Sequence, residues 1–291
     1  MPASIAILTQ QIDNEVIRAM GVPLDSWLAH RLHAILGRAT RRFSELFAEV
    51  DRIVGEQGLP AGAAWLLCHL ATGFEARGVD HVPTEGPLII ASNHPGAVDS
   101  LAVTASAERR DLKIIASAVP FLQSLPCIAQ HLIFAPKPSH VQARMLALRE
   151  SIRHLRSGGA VLLFAHGNID PDPAFMPDAD REFAAWSRSL EIFLRSVPET
   201  RVIISIVSGV IDPTCMRHPL TWLRRARPDR QRLAMMIQII QQMLGRKFEI
   251  KPRISFGDPL DAILIGSPEH ALPMITEQAH LLMRSHLTWQ S

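Results

Sequence analysis

The sequence predicts an α/β fold: a mostly parallel central sheet flanked by helices, with an N-terminal helical segment ahead of it. Three observations carry this. Up to about residue 75 only the three- and four-residue spacing of helices recurs. Beyond residue 78, short apolar runs of strand length alternate with stretches of helical period. Those runs are mostly apolar on both alternating sets of positions, as strands covered on both faces are, and helices between them supply the crossovers that parallel pairing needs.

The helical spacing is clearest between Asp25 and Gly55. There Leu28, Leu32, Ile35, Leu36, Ala39, Phe43, Leu46, Phe47, Val50 and Ile53 form one stripe, and Arg31, Arg38, Arg41 and Arg42 fall mainly off it. Asp25 is the expected cap, and Gly55 lies past the expected end. A second helix is expected over 60–73. The expected strands are "LIIAS" (88–92), "LKIIAS" (112–117), "HLIFA" (131–135), "AVLLFA" (160–165) and "RVIISIVSG" (201–209). Between the third and fourth lies a helix, 140–157, with Val141, Met145, Leu148, Ile152 and Leu155 on one face and Arg149, Arg153 and Arg156 outside it. Gly158-Gly159 ends it. Another helix, about 230–244, reads as apolar around most of its circumference. The expected organisation is a helical segment, 1–75, packed on an α/β domain, 76–291.

A chain of 291 residues suits one large domain, or a main domain with a smaller helical attachment. With 47% apolar and 20% charged residues it has enough for a sizeable core, and wholesale disorder is excluded. A net charge of +2, the lack of a recognised binding motif and the absence of tyrosine for stacking argue against a nucleic-acid partner. Cys68, Cys127 and Cys215 are widely spaced, odd in number and without a CxxC. That pattern fits free thiols in a reducing compartment, with Cys127 a core residue, and neither a disulfide framework nor a zinc site. The opening "MPASIAILTQQIDNE" lacks the basic and apolar regions of a signal peptide. The most membrane-like window, residues 59–74, is shorter than the roughly 20 apolar residues a span needs and is interrupted by His69. The expectation is a cytoplasmic protein whose membrane contact is at most peripheral, on the inner face.

The stretch "ASNHPGAVDS", 91–100, places Asn93 and His94 where a buried strand stops, then a Pro-Gly turn, then Asp99. In open α/β sheets, ligands bind beyond the carboxyl ends of the strands. Two readings follow from spacing alone. Asn93 and His94 close a strand while Asp99 caps the next helix; or the four-residue loop folds Asp99 back onto the imidazole, fixes its tautomer and makes His94 a general base for a hydroxyl.

The order of the surrounding blocks favours the second. "FEARGVDHVPTEGPLIIASNHPGAVDS" resembles the opening block of the glycerolipid acyltransferase superfamily, with its strand, Asn-His, four residues and Asp. "LIFAPK" is similar to the second block, "LRSGGAVLLFAHGN" to the strand that ends Phe-Pro-Glu-Gly-Thr-Arg, and "VIISIVSGVI" to the hydrophobic fourth. The four lie in the family's order over residues 74–211. The resemblance implies transfer of a fatty acyl group from a thioester, acyl-CoA or acyl carrier protein, to a hydroxyl of a lysophospholipid or related lipid. His94 is then the base and Asp99 its orienting acid, with no further cofactor, no metal and no acyl-enzyme. No Gly-x-Ser-x-Gly elbow is present, in keeping with this. Asn93, Lys137, His166, Gly167 and Asn168 are the expected substrate contacts, with backbone amides near Gly167 as donors to an oxyanion.

The third block departs from the family. Ala165 stands at the Pro, His166 at the Glu, Asn168 at the Thr and Ile169 at the Arg. Isoleucine offers none of the forked donors with which a guanidinium grips phosphate, while Asp170 and Asp172 would repel one. Lys137 stands where the second block has an Arg, and Ser205 near a Pro of the fourth. An acceptor other than 1-acylglycerol-3-phosphate is expected, or one held by other cations. His166 either bonds a polar acceptor or closes a strand. Asp170 and Asp172 are either acceptor ligands or, set between prolines, the acids of Asx-turns, and the structural reading is favoured.

In segment 216–253, ten Arg and Lys face only Asp229 and Glu249, with Trp222 among them. This is the composition of a surface for anionic headgroups. It also suits a helix with a solvated basic rim, an acidic carrier protein or the phosphates of CoA. The N-terminal helix with its arginines is a second candidate for membrane contact, although such a stripe is more often core.

Overall fold

The computed structural model describes residues 4–135, 141–267 and 270–289. Three helices come first: α1 (Ile5–Ala19), α2 (Trp27–Gln57) and α3 (Leu59–Leu70). Then follow β1 (Glu75–Arg77), β2 (Leu88–Ser92), α4 (Asp99–Ala107), β3 (Lys113–Ser117), the short α5 (Pro120–Gln123) and α6 (Pro126–Gln130), and β4 (Leu132–Ala135). The second half contains α7 (Val141–Arg156), β5 (Ala160–Phe164), α8 (Ser189–Ser196), β6 (Arg201–Ser208), α9 (Pro213–Met216), α10 (Arg227–Met243), β7 (Arg253–Phe256), α11 (Ala262–Ile265) and α12 (Ala271–Thr288).

The strands form one sheet in the order β1-β7-β6-β2-β5-β3-β4. Every neighbouring pair is parallel except β6 with β7. This is the mostly parallel α/β architecture that the alternating apolar runs predict. All five expected strands are present within a residue or two of their ends. β1 and β7 were not foreseen: at three and four residues, with charged Glu75, Arg77 and Arg253, they carry too little apolar pattern to register.

Alternation along the strands divides the core. Leu88, Ile90, Leu162, Ile203 and Val207 face one layer, with Val54 of α2, Leu66 and Leu67 of α3, Val103 of α4 and Ile237 of α10. Ile89, Ala91, Val161, Ile204 and Ile206 face the other, with Leu155 of α7, Phe193 of α8 and Ile275 and Met283 of α12. The helices before residue 75 therefore share their core with the sheet.

Two details of α2 differ from expectation. Its cap is Ser26, whose Oγ accepts from the Ala29 amide at 3.2 Å, rather than Asp25. It also runs through Gly55 to Gln57. Gly55 is an interior contact: a Cβ there would meet Cys127 Sγ at 2.8 Å, so its missing side chain admits α6. The expected helix at 230–244 begins earlier, at Arg227, and its buried face includes the polar Gln231 and Gln238. No helix among the described residues is long and apolar enough to cross a membrane.

His286 of α12 is buried between two hydroxyls, Ser208 Oγ at 2.7 Å from Nε2 and Ser255 Oγ at 2.8 Å from Nδ1. Burial, helped by Arg253 and Arg77, pushes its pKa down to about 4 from the ordinary 6.5. The unfolded chain then binds the proton that the folded chain refuses, and stability falls as pH drops from 6.5 toward 4. Between about pH 7 and pH 5 this one group costs about 2 kcal/mol. Urea unfolding of wild type and His286→Gln at both pH values should show the acid loss reduced by about that amount in the variant. Equal losses in the two proteins would place the acid sensitivity elsewhere.

Candidate active site

β2 is the central strand, and it releases the chain at the carboxyl edge of the sheet, where Asn93 and His94 follow Ser92. The Asn93 carboxamide donates to Val207 O at 2.9 Å and accepts from Val207 N at 2.8 Å. It is 1% exposed and clamps the end of β2 to β6. The side chain expected to contact an acceptor thus has both polar atoms engaged by backbone.

His94 is gripped at its main chain and at its ring. Its N–H donates to Asp170 Oδ2 at 2.8 Å, and its carbonyl accepts from the Asp170 amide at 2.8 Å. The imidazole stacks on Phe164 of β5 with ring centroids 4.2 Å apart. Nδ1 lies 2.8 Å from Asp99 Oδ2, which leaves Nε2 as the nitrogen that can meet a substrate. The ring is 27% exposed and the Asp99 side chain 0%. The Pro-Gly turn folds as the motif suggests: Gly96 N donates to Asp99 Oδ2 at 2.9 Å and Ser100 N to Oδ1 at 2.5 Å. Asp99 is also the first residue of α4, so one carboxylate both holds the imidazole and complements the positive end of the helix. Gly96 is packed against the end of β6, where a Cβ would meet Val210 Cγ2 at 2.9 Å.

Burial works to lower the His94 pKa. The charge and hydrogen bond of Asp99, joined by the charge of Asp170, outweigh it and hold the pKa above the ordinary histidine value.

The loop after β5 supplies the rest. His166 Nδ1 lies 2.5 Å from Asp170 Oδ1, and its Nε2 lies 3.8 Å from Glu182 Oε2. Asp170 thus joins His166 to the His94 backbone through its two oxygens. Burial pushes its carboxyl above the usual range against these bonds. Asp172 does form the expected Asx-turn, accepting from Ala174 N at 2.9 Å, but it also takes the amides of Gly209 at 2.9 Å and Val210 at 3.0 Å. Full burial pushes its carboxyl up to about 6 despite these three donors. Gln231 of α10 completes the arrangement: Oε1 accepts from Asp172 N at 2.8 Å, and Nε2 donates to Pro95 O at 2.9 Å and to Asp170 O at 2.7 Å.

His166, Asp170 and Glu182 offer ligand atoms within 4.8 Å of one another. The 2.5 Å separation of the first two is that of a hydrogen bond, shorter than that of two ligands about 2.1 Å from a shared ion at right angles or wider. Of the backbone amides near Gly167 expected to face an oxyanion, that of Gly167 itself donates to Phe164 O at 3.0 Å and closes the turn. Asn168 is exposed. Lys137 lies outside the described residues. Sequence reading missed Gln231 and the main-chain role of Asp170. For Gln231 the signal was a polar residue on the helix face it shares with Ala234 and Ile237, which a buried position requires to be bonded.

Two measurements follow. In an NMR titration of the histidine rings, His94 should protonate with a midpoint above the ordinary value of 6.5; Asp99→Asn should bring it below, since burial then acts with less opposition. An unmoved midpoint would separate the two groups electrostatically. Gln231→Leu strands an amide and two carbonyls and should lower stability by about 2–4 kcal/mol in urea unfolding. Hydrogen exchange at the His94 and Asp170 amides should rise with it.

No family model and no curated protein matches the chain. Among solved structures, the chain is similar to the crystal structure of the 1-acyl-sn-glycerophosphate (LPA) acyltransferase PlsC from Thermotoga maritima. The TM-score is 0.46 and the identity 14%, over 99% of this chain and 97% of that one.

Proposed function

We propose that the protein is an acyltransferase that moves a fatty acyl group from a thioester donor, acyl-CoA or acyl carrier protein, to a hydroxyl of a lysophospholipid or related lipid. The observation that carries this is the His94–Asp99 pair, 2.8 Å apart at the carboxyl end of the central strand, with the imidazole reachable from solvent. In the proposed reaction Nε2 takes the acceptor hydroxyl proton as the oxygen attacks the thioester carbonyl. The tetrahedral intermediate then expels the thiolate, and the imidazolium returns the proton to sulfur. Asp99 supports the imidazolium, and the Gly96 and Ser100 amides hold Asp99 in place.

The acceptor is proposed to differ from 1-acylglycerol-3-phosphate. Ile169 offers no donor for a phosphate, and the neighbouring loop brings Asp170 and Glu182 to His166. These groups favour an uncharged or amine-bearing headgroup. A non-catalytic acyl-lipid binder on the same fold is the competing reading, and it predicts no turnover. The proposed location is the cytoplasmic face of a membrane, reached peripherally.

Labelled acyl-CoA and acyl carrier protein, offered with a panel of lysolipids, test this. His94→Ala should cut transfer by roughly 10²–10⁴-fold with the circular dichroism spectrum unchanged. A variant with normal turnover would rule His94 out as the base. Because the base must be neutral and its pKa is raised, kcat/KM should climb through a midpoint above 6.5, and Asp99→Asn should shift that limb to lower pH while costing much of the rate. Strong preference for 1-acylglycerol-3-phosphate over neutral or amine acceptors would overturn the reading of Ile169.

A further inference from the structure

We infer that residues 217–227 form a foot that docks on an anionic lipid surface beside the His94 loop. The segment leaves the carboxyl edge of the sheet just after β6, through α9 and a 3-10 turn, Pro219–Leu223. Its tip is apolar and open to solvent: Leu220 is 50% exposed, Trp222 69% and Leu223 77%. Residues 222–229 are exposed without interruption. Arg217, Arg224, Arg225 and Arg227 flank the tip along the chain, all exposed, and none has an acidic partner among the described residues.

The tip is built to project. Thr221 is fully buried, and its hydroxyl donates to Met216 O and His218 O at 3.2 and 2.7 Å. Asp212 caps α9 through the Thr214 amide at 2.8 Å, and His218 Nδ1 accepts from Leu220 N at 3.3 Å. A rooted turn thus presents three apolar side chains to water, at a cost that burial in a lipid interface would relieve.

The basic segment read from the sequence divides here. Its second half is engaged internally: Lys251 and Arg253 pair with Glu75, and Arg246 lies over the Phe248 ring. In the first half Arg230 bonds the Arg224 carbonyl and Arg232 pairs with Asp229, while Arg217, Arg224, Arg225 and Arg227 are left to solvent next to aromatic and aliphatic side chains. That is the composition of an interfacial anchor rather than of a solvated rim, since anionic headgroups satisfy the arginines while the tip enters the acyl boundary.

The foot is coupled to the proposed site. α10 starts at Arg227, and one turn later Gln231 bonds to Pro95 O and Asp170 O. Met235, a turn further on, approaches Gly96 at 3.8 Å from where its Cβ would lie. The inference rests on a lipid acceptor for its purpose: docking here would bring the His94 loop to the interface where such an acceptor resides.

Co-sedimentation of the full chain with phosphatidylcholine vesicles, with and without phosphatidylglycerol, tests the foot without reference to catalysis. Binding to the phosphatidylglycerol vesicles should weaken with added salt. Arg224→Gln/Arg225→Gln/Arg227→Gln should reduce it by roughly a hundredfold. Trp222→Ser/Leu223→Ser should abolish it, and bromine-labelled acyl chains should quench wild-type tryptophan fluorescence but not that of Trp222→Phe. The side chains are exposed, so circular dichroism and melting should be unchanged. Binding that survives both sets and is lost in Trp27→Ser/Ile35→Ser, two exposed residues of α2, would overturn the proposal in favour of the N-terminal helices. No vesicle binding, with arginine-dependent capture of an acidic carrier protein, would overturn it too. Foot-dependent binding in a chain that transfers no acyl group would sustain the docking surface and overturn only the enzymatic reading.

Discussion

The loops after β2, β5 and β6 meet at the carboxyl edge of the sheet, and their positions are set mainly by buried side chains that bond to main-chain groups. Gln231 reaches from α10 to the carbonyls of Pro95 and Asp170 and to the amide of Asp172. Asp172 gathers the amides of Gly209 and Val210 at the end of β6, and Asp170 exchanges two hydrogen bonds with the His94 backbone. A side-chain amide carries both a donor and an acceptor, so it can join a carbonyl of one loop to an amide of another. No apolar residue can do this, which explains why polar groups are buried at this end of an otherwise aliphatic core.

The arrangement has an electrostatic cost. Asp172 is pushed up to about 6, above its value in an unfolded chain. The stability linked to its proton is therefore present at low pH and lost as pH rises through about 6. At neutral pH the folded protein holds this carboxylate desolvated, and three backbone amides offset the penalty. His286, on the far layer, has the opposite sign: it is kept neutral by burial and opposes folding in acid. The two groups tilt the pH dependence in opposite directions over nearly the same range, so they partly offset one another.

The fold was legible because the buried strands are long enough to show an apolar run and the crossover helices are periodic. β1 and β7 escaped because three or four residues at the border of a sheet carry almost no pattern. Of the site, the contact between His94 and Asp99 was legible because both groups lie in one turn. The groups that fix that turn in space were not: Asp170 lies 76 residues from His94 along the chain and Gln231 lies 136 from Pro95. Local spacing gives only the Ala174 bond of Asp172, and that is the one bond the Asx-turn reading anticipated. The backbone bonds of Asn93 were hidden for a related reason. A strand-end carboxamide looks free to meet a ligand until the neighbouring strand is known to present the amide and carbonyl of Val207.

The grip of Asp170 on the His94 backbone means that the motif is not portable. A graft of "NHPGAVD" onto the end of another parallel strand would bring its own turn and its own carboxylate, since Gly96, Asp99 and Ser100 travel with it. It would leave behind the carboxylate that sets how far the imidazole stands above the sheet. Whatever chemistry the pair performs, the smallest transferable unit is the motif together with the loop after β5 and the first turns of α10.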